Sequence, residues 1–242
     1  MTVVIDVFRV LSSTAALVMA LSPIPTIFGI YKKRSVGFMP MAPLVAMFTN
    51  SHMWMMYGYL KVNYYPIFAT YALSEVLCVG YIGVYYAFTT ERAYAHRLFL
   101  VFGLACVLAT TYAFLGGYGV TSQSREQVAN IVGYLGIASA LVLYISPFEK
   151  IRQVLRHRSA VFIPVFLTVA GITNNSMWIV YASLTRNWLI MVPNVAFLCS
   201  GIVQASLNIA FHPSSHPLPP QDDTPTKSDF AELSSPVANH PC

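Results

Sequence analysis

The stretch Asn50-Ser51-His52-Met53-Trp54-Met55-Met56-Tyr57 returns 124 positions later as Asn174-Asn175-Ser176-Met177-Trp178-Ile179-Val180-Tyr181. Extended in both directions, residues 5–70 align on 129–194 without a gap and share 20 identities in 66 positions. The matched pairs include Ser22 with Ser146, Pro23 with Pro147, Pro40 with Pro164, Leu60 with Leu184 and Asn63 with Asn187. A chain that contains itself twice is constrained to a fold that accommodates two copies of one unit. At about 100° per residue, the Asn, the Trp four later and the Tyr seven later fall on one helical face. Each copy therefore carries a stripe of Asn50, Trp54 and Tyr57, or of Asn174, Trp178 and Tyr181.

Both stripes lie in apolar runs. The 242 residues are 56% hydrophobic and 10% charged, and the charges cluster between long uncharged segments, which places the chain among integral membrane proteins. About 20 apolar residues cross a hydrocarbon core, and seven such runs are expected, at 10–31, 36–60, 65–89, 98–118, 127–148, 159–184 and 188–210. A soluble protein would need polar faces on its surface helices, which these runs lack. Spans 1–3 (5–89) repeat as spans 5–7 (127–210), and span 4 (98–118) has no mate. An odd linker span gives both units the same orientation, so the expected fold is an all-α membrane protein of two parallel three-helix repeats, 3+1+3.

Basic residues set the orientation. Loops 31–37, 90–97 and 149–158 hold Lys32, Lys33, Arg34, Arg92, Arg97, Lys150, Arg152, Arg156 and Arg158, against Arg9, Lys61, Arg125 and Arg186 on the other side. The N-terminus is expected outside and the C-terminus in the cytoplasm. These loops account for the formal charge of +5, so no nucleic-acid partner is expected. The N-terminal run carries Asp6 and Arg9 and no basic start, so it reads as a retained first span. Cys78, Cys106 and Cys199 fall inside spans and Cys242 ends the chain, a spacing that implies neither a disulfide framework nor a metal site. Residues 212–242 turn polar and rich in proline and serine, the composition of a disordered tail. Pro23 and Pro147 sit late in spans 1 and 5, each behind a serine able to satisfy a freed carbonyl, while Pro40, Pro43 and Pro164 open spans 2 and 6.

Polar and aromatic groups at matched depth in two halves point to a small polar solute between them. A sugar suits both, because its hydroxyls need hydrogen bonds and its C–H faces stack on indole. Trp178 stands eight residues from Arg186, roughly 12 Å deep at 1.5 Å per residue, so Trp188 is the better interfacial belt residue.

Ser22-Pro23, Ser146-Pro147, Pro43, Phe162-x-Pro164, Trp178-x-x-Tyr181 and Val192-Pro193-Asn194 running to Gln204, in a 3+1+3 layout, resemble the SWEET family of sugar transporters, in which parallel repeats are a known feature. The resemblance covers about residues 5–210. It implies a facilitative uniporter of mono- or disaccharides that alternates between outward-open and inward-open states. Trp178 and Asn194 match the sugar-contacting Trp and Asn of the family, with Trp54 in the mated position. Tyr57 matches an extracellular gate tyrosine, and Tyr181 is its mate. Pro23, Pro43, Pro147 and Pro164 match a proline tetrad, while Met19 and Leu143 match pocket-wall positions linked to substrate size. Asn50 and Asn174 complete the expected polar lining. Two positions depart from the pattern: the usual span 3 Asn is replaced by Thr70 at the repeat offset, or by Phe68 if the alignment is set on Glu75, neither an amide, and Asn187 stands where an acidic gate residue is common.

Glu75 is the acidic residue deep in a span, and such a carboxylate is a functional suspect. The sharper reading is a proton-coupling group, in a transporter of amino acids or another small metabolite; the plainer one is a protonated, hydrogen-bonded carboxyl between helices. His52 poses the same choice. A seven-span receptor is disfavoured by the repeat. Without paired carboxylates, an activated nucleophile or a metal cluster, no enzyme, metal or cofactor is expected. The expected partners are a small sugar, the lipid bilayer and further copies of the chain, in the plasma membrane with an endomembrane as the alternative.

Overall fold

The computed structural model describes residues 2–37, 39–143 and 145–212. The tail expected from 212 onward lies outside the described residues except for His212. All regular structure among the described residues is helical: α1 (Thr2–Leu21), α2 (Ile24–Lys33), α3 (Ala42–Leu60), α4 (Ala69–Phe88), α5 (Arg92–Gly117), α6 (Arg125–Leu143), α7 (Ile145–His157), α8 (Val165–Leu184) and α9 (Trp188–Ala210). A π-type turn at Tyr64–Phe68 precedes α4 and a 3₁₀ turn at Ala160–Phe162 precedes α8.

Span 1 is two helices because Ser22-Pro23 interrupts it. Pro23 has no N–H to continue the ladder, and the chain restarts when the Ile27 N–H donates to the Pro23 carbonyl at 2.9 Å. Span 5 is described as α6 up to Leu143 and α7 from Ile145, and Pro147, the mate of Pro23, lies within α7. The basic stretch 149–158, expected as a loop, is instead mostly α7. Its charges alternate with Ile151, Val154 and Leu155, and buried Val154 packs with Ala160 and Ile163, so one apolar face holds a helix that its charge count disguises. Similarly, α5 begins at Arg92, inside the expected loop 90–97, and α1 begins well before residue 10. Span 2 shortens to Ala42–Leu60 because Gly37 adopts a left-handed φ of 57° and Pro43 suits only the first turn.

The backbone repeats its specials as the sequence repeats its residues. Arg34 and Arg158 have φ of 54° and 50° after α2 and α7, and Val62 and Arg186 have φ of 55° and 53° after α3 and α8. Packing repeats as well. α1 lies on α8 and α3 on α6, α3 on α4 and α8 on α9, α1 on α4 and α6 on α9, while α5 joins α3 and α6. Each pair is the mate of another, the contact pattern of two parallel three-helix units about an axis, with α5 as linker.

Among the described residues, six stretches are long and apolar enough to cross a membrane, at Val3–Lys33, Tyr64–Phe88, Arg92–Gly117, Arg125–His157, Val165–Leu184 and Trp188–Ala210. α3 is more polar, yet Leu44, Thr49, Ser51, Trp54 and Tyr57 on it are all buried and it packs on α4, α5 and α6. A helix enclosed by neighbours tolerates polarity that lipid would not. The chain is thus a multi-pass membrane protein with seven spans.

α3 also carries the strongest tie to the linker. Nδ1 of His52 lies 3.0 Å from Oε1 of Glu75 on α4, and Nε2 lies 2.7 Å from Oγ1 of Thr110 on α5. Glu75 is therefore bonded between helices, and its second oxygen is buried with no partner among the described residues. The pair is half-buried, and removing one member of a desolvated ionisable pair strands the other. His52→Ala should accordingly lower the melting temperature by several degrees in detergent, whereas Glu75→Gln, which keeps a bonding partner for the imidazole, should lower it by less than half as much. Equal shifts, read by scanning fluorimetry, would show that the pair does not hold these helices together.

Candidate substrate cavity

A cavity of about 430 Å³ lies between the two repeats, with walls from α1, α3, α4, α6, α7, α8 and α9 but not from the linker α5. One end is closed by a motif built twice. Trp54 meets Tyr57 edge to face at 5.5 Å and 85°, and Trp178 meets Tyr181 at 5.8 Å and 84°. Each tyrosine then reaches into the other repeat. Tyr57 Oη donates to Oδ1 of Asn187 at 2.9 Å, and Nδ2 of Asn63 donates to Oη of Tyr181 at 2.8 Å. Oδ1 of Asn63 and of Asn187 accepts from the N–H of Ile67 and of Ile190, each at 3.4 Å. One amide thus caps the helix start that follows it and engages the tyrosine opposite. Both tyrosines are 1% exposed, so this end is sealed.

Tyr71 of α4 bridges the indoles, 6.3 Å from Trp54 and 5.9 Å from Trp178, with interplanar angles of 28° and 31°. The three rings make one aromatic roof over the cavity. Below it, the amides of Asn50, Asn174 and Asn194 and the hydroxyls of Ser51 and Ser74 line the wall. Asn194 Nδ2 donates to the Ile190 carbonyl at 2.7 Å, and Asn50 Oδ1 accepts from Ser139 Oγ at 3.2 Å. Asn174 Oδ1 is buried and unpartnered among the described residues, a strong acceptor with unmet capacity. Met19 and Leu143 face each other's repeat from mated positions. At the far end, toward the basic segments, the walls are Pro43, Pro147, Pro164, Lys150 and Gln204. Pro23 stands at the α1–α2 break and does not reach the cavity, whereas Ser22 beside it does.

Thr70 is not on the wall, contrary to expectation. Its hydroxyl donates to Ser13 Oγ on α1 at 3.0 Å, and it is 3% exposed. The reason is a one-residue change of register. After Asn63 the Phe68 N–H reaches back five residues to the Asn63 carbonyl, while after Asn187 the Met191 N–H reaches back four to the Asn187 carbonyl. The wide turn inserts one residue, so Tyr71, not Thr70, stands opposite Asn194. The spacing of Tyr71 and Ser74, three apart on one helical face, was the available signal. Gly133 and Gly136 also escaped notice. A Cβ on Gly136 would lie 3.1 Å from the Trp54 indole, and one on Gly133 would lie 3.0 Å from the Tyr57 ring, so these glycines let α6 approach α3 at the roof. Glu75 and His52 do not line the cavity.

This geometry separates two neighbours. Tyr71→Ala should remove the centre of the roof and cut transport at least tenfold, whereas Thr70→Ala loses a hydrogen bond worth about 0.6 kcal/mol between membrane helices and should transport within about twofold of the parent. Uptake rates that reverse this order would return Thr70 to the site.

Residues 6–93 and 130–216, more than half the chain, each match the family described as sugar efflux transporters for intercellular exchange. The chain belongs to the SWEET family. It is 24% identical over 233 residues to the bidirectional sugar transporter SWEET9 of Arabidopsis thaliana, covering 93% of this chain and 87% of that one. It is 27% identical to SWEET10 of the same plant, over 98% of this chain and 83% of the relative, and 26% identical to SWEET4 of Oryza sativa subsp. indica, over 85% and 79%. A 3.7 Å structure of a eukaryotic SWEET transporter superposes with a TM-score of 0.73 at 20% identity, covering 87% of this chain and 97% of that one. The 3+1+3 arrangement is thus the SWEET fold, and SWEET proteins are transporters, not enzymes.

Proposed function

We propose that this protein equilibrates mono- or disaccharides across a membrane by facilitative uniport. The observation that carries the reading is the mirrored Trp54–Tyr71–Trp178 roof over a polar cavity between two repeats. Indole faces suit the C–H faces of a sugar ring, and three amides suit its hydroxyls. We assign sugar contact to Trp54, Trp178, Tyr71, Asn50, Asn174 and Asn194, with Met19 and Leu143 setting the room available. The names of the relatives, all bidirectional sugar transporters, support the same reading. In proteoliposomes, uptake should follow the sugar gradient and ignore a pH gradient. Uptake that needs an inward proton gradient, and that Glu75→Gln abolishes, would favour a proton-coupled carrier instead.

The repeats 5–89 and 127–210 are taken as the moving bodies about the linker 98–118, with the basic end in the cytoplasm. On that orientation the Tyr57–Asn187 and Asn63–Tyr181 bonds form a closed outer gate and the conformation faces inward. The matched prolines Pro23 and Pro147, with Pro43 and Pro164 at the inner mouth, act as flex points. Alanine at both Pro23 and Pro147 should slow exchange severalfold without loss of surface protein, and unchanged exchange would remove them from the mechanism. We extend the reading to the plasma membrane and to self-association. Microscopy of the tagged chain and cross-linking in intact membranes test these, and retention inside the cell or monomer bands alone would contradict them.

A further inference from the structure

A second cavity, of about 410 Å³, opens on the opposite side of the first repeat, where the linker α5 crosses α3 and α4. Its walls include Phe48, Val79, Gly83, Tyr86, Phe102 and Gly103, so it is a groove without charge. The two glycines are unlike those at the roof. A Cβ on Gly83 or on Gly103 would meet nothing within 4 Å, whereas one on Gly136 would lie 3.1 Å from the Trp54 indole. Glycine weakens a helix, and here the missing side chains serve no close helix contact. They leave open a furrow along the linker.

The furrow ends in a cationic collar. Tyr86 forms the last wall residue, and the Arg92 guanidinium sits 4.9 Å over its ring. Nε2 of His96 lies 2.9 Å from Tyr86 Oη. On the other flank, the Arg34 guanidinium lies 5.2 Å from the Phe88 ring at the end of α4. Arg92, His96, Arg97, Lys32, Lys33 and Arg34 are exposed, and Glu91 is the acidic residue among them. An apolar furrow about 10 Å long between Val79 and Tyr86, at 1.5 Å per residue, capped by clustered cations at the membrane edge, has the chemistry of one class of ligand.

We propose that this groove binds an anionic phospholipid, one acyl chain lying between α3, α4 and α5 and the headgroup phosphate held by Arg92 and His96. Basic clusters at a membrane surface favour net-negative lipid, and the aromatic and glycine walls accept an alkyl chain. The lipid fills the seam by which the linker joins the first repeat. No repeat-two counterpart of this site is expected, because α5 has no mate.

The test uses the full chain reconstituted in phosphatidylcholine vesicles with a trace of phosphatidylserine bearing a diazirine on its acyl chain. After photolysis, mass spectrometry should find the label concentrated around Gly83–Tyr86 and Phe102–Gly103, about fivefold above that from the matching phosphatidylcholine probe. Free glycerol phosphate should not compete, which separates a lipid from a soluble phosphate. Arg92→Gln with His96→Gln should erase the preference for phosphatidylserine but keep label in the furrow, and Gly83→Leu with Gly103→Leu should remove label from the furrow. Equal labelling by both probes, or label spread along Leu100, Leu104 and Val107 on the outer face of α5, would reduce the groove to ordinary bilayer contact and overturn the proposal. Displacement by a sterol but not by phosphatidylserine would also overturn it. If the leucine variant fails to fold, the distribution on the parent chain still decides.

Discussion

Trp178→Ala should lower sugar transport by more than tenfold while the protein still reaches the membrane. The indole is 1% exposed, touches Tyr71 at 5.9 Å and Tyr181 at 5.8 Å, and forms one of the roof's three rings. Truncating a buried Trp costs about 3–5 kcal/mol in general, and an aromatic contact adds about 0.5–1.5 kcal/mol beyond burial. Since about 1.4 kcal/mol is a factor of ten, the stacking contact accounts for up to about tenfold and the lost burial supplies the rest. Asn194→Ala should fall nearly as far, because it removes a cavity amide while leaving the roof. Trp188→Ala is the control: that indole is 67% exposed at the start of α9, and its loss should leave transport near the parent level. Surface labelling would separate lost transport from lost protein. If Trp178→Ala and Asn194→Ala both carry sugar normally, or Trp188→Ala is as damaging as Trp178→Ala, the assignment of the central site is wrong.

Gly136→Val should be nearly as severe, although Gly136 touches no substrate in this account. Its missing side chain is the space that the Trp54 indole occupies, and even a Cβ would lie 3.1–3.3 Å from three indole atoms. The branched methyls of valine would push Trp54 off Tyr71 or force α6 away from α3. Overpacking of this kind costs about 1–3 kcal/mol, enough to reduce transport roughly tenfold if the roof must stay intact. Gly80→Ala, where a Cβ meets nothing within 4 Å, should leave transport unchanged. Wild-type uptake by the Gly136→Val chain, at equal expression, would mean that the position of Trp54 does not matter.

Much of the architecture was legible because the repeat is written in identities and the spans in long apolar runs. The pairing of Asn63 with Tyr181 and of Tyr57 with Asn187 rests on residues that align at one offset, so the closed end was partly visible in advance. The register of α4 was not. A single residue absorbed in the turn after Asn63 leaves no gap in apolar sequence, yet it carries Thr70 to α1 and brings Tyr71 to the cavity. α7 was hidden by its own charge, since four Lys and Arg residues in the ten of 149–158 resemble a loop until Val154 is seen packed beneath them. His52 and Glu75 each stood out as intramembrane polar groups. Their partnership, 23 residues apart, and the third member Thr110 emerged only from the crossing of α3, α4 and α5.

Sugar counterflow tests the account most directly. Proteoliposomes preloaded with unlabelled sugar and diluted into a trace of labelled sugar, with equal pH on both sides, should accumulate label transiently above its equilibrium level. That overshoot requires a carrier that exchanges one sugar for another through a single alternating site, and it should vanish in the Trp178→Ala chain. Accumulation that only rises to equilibrium for every sugar tried, or an overshoot produced by preloaded amino acids instead, would contradict the account.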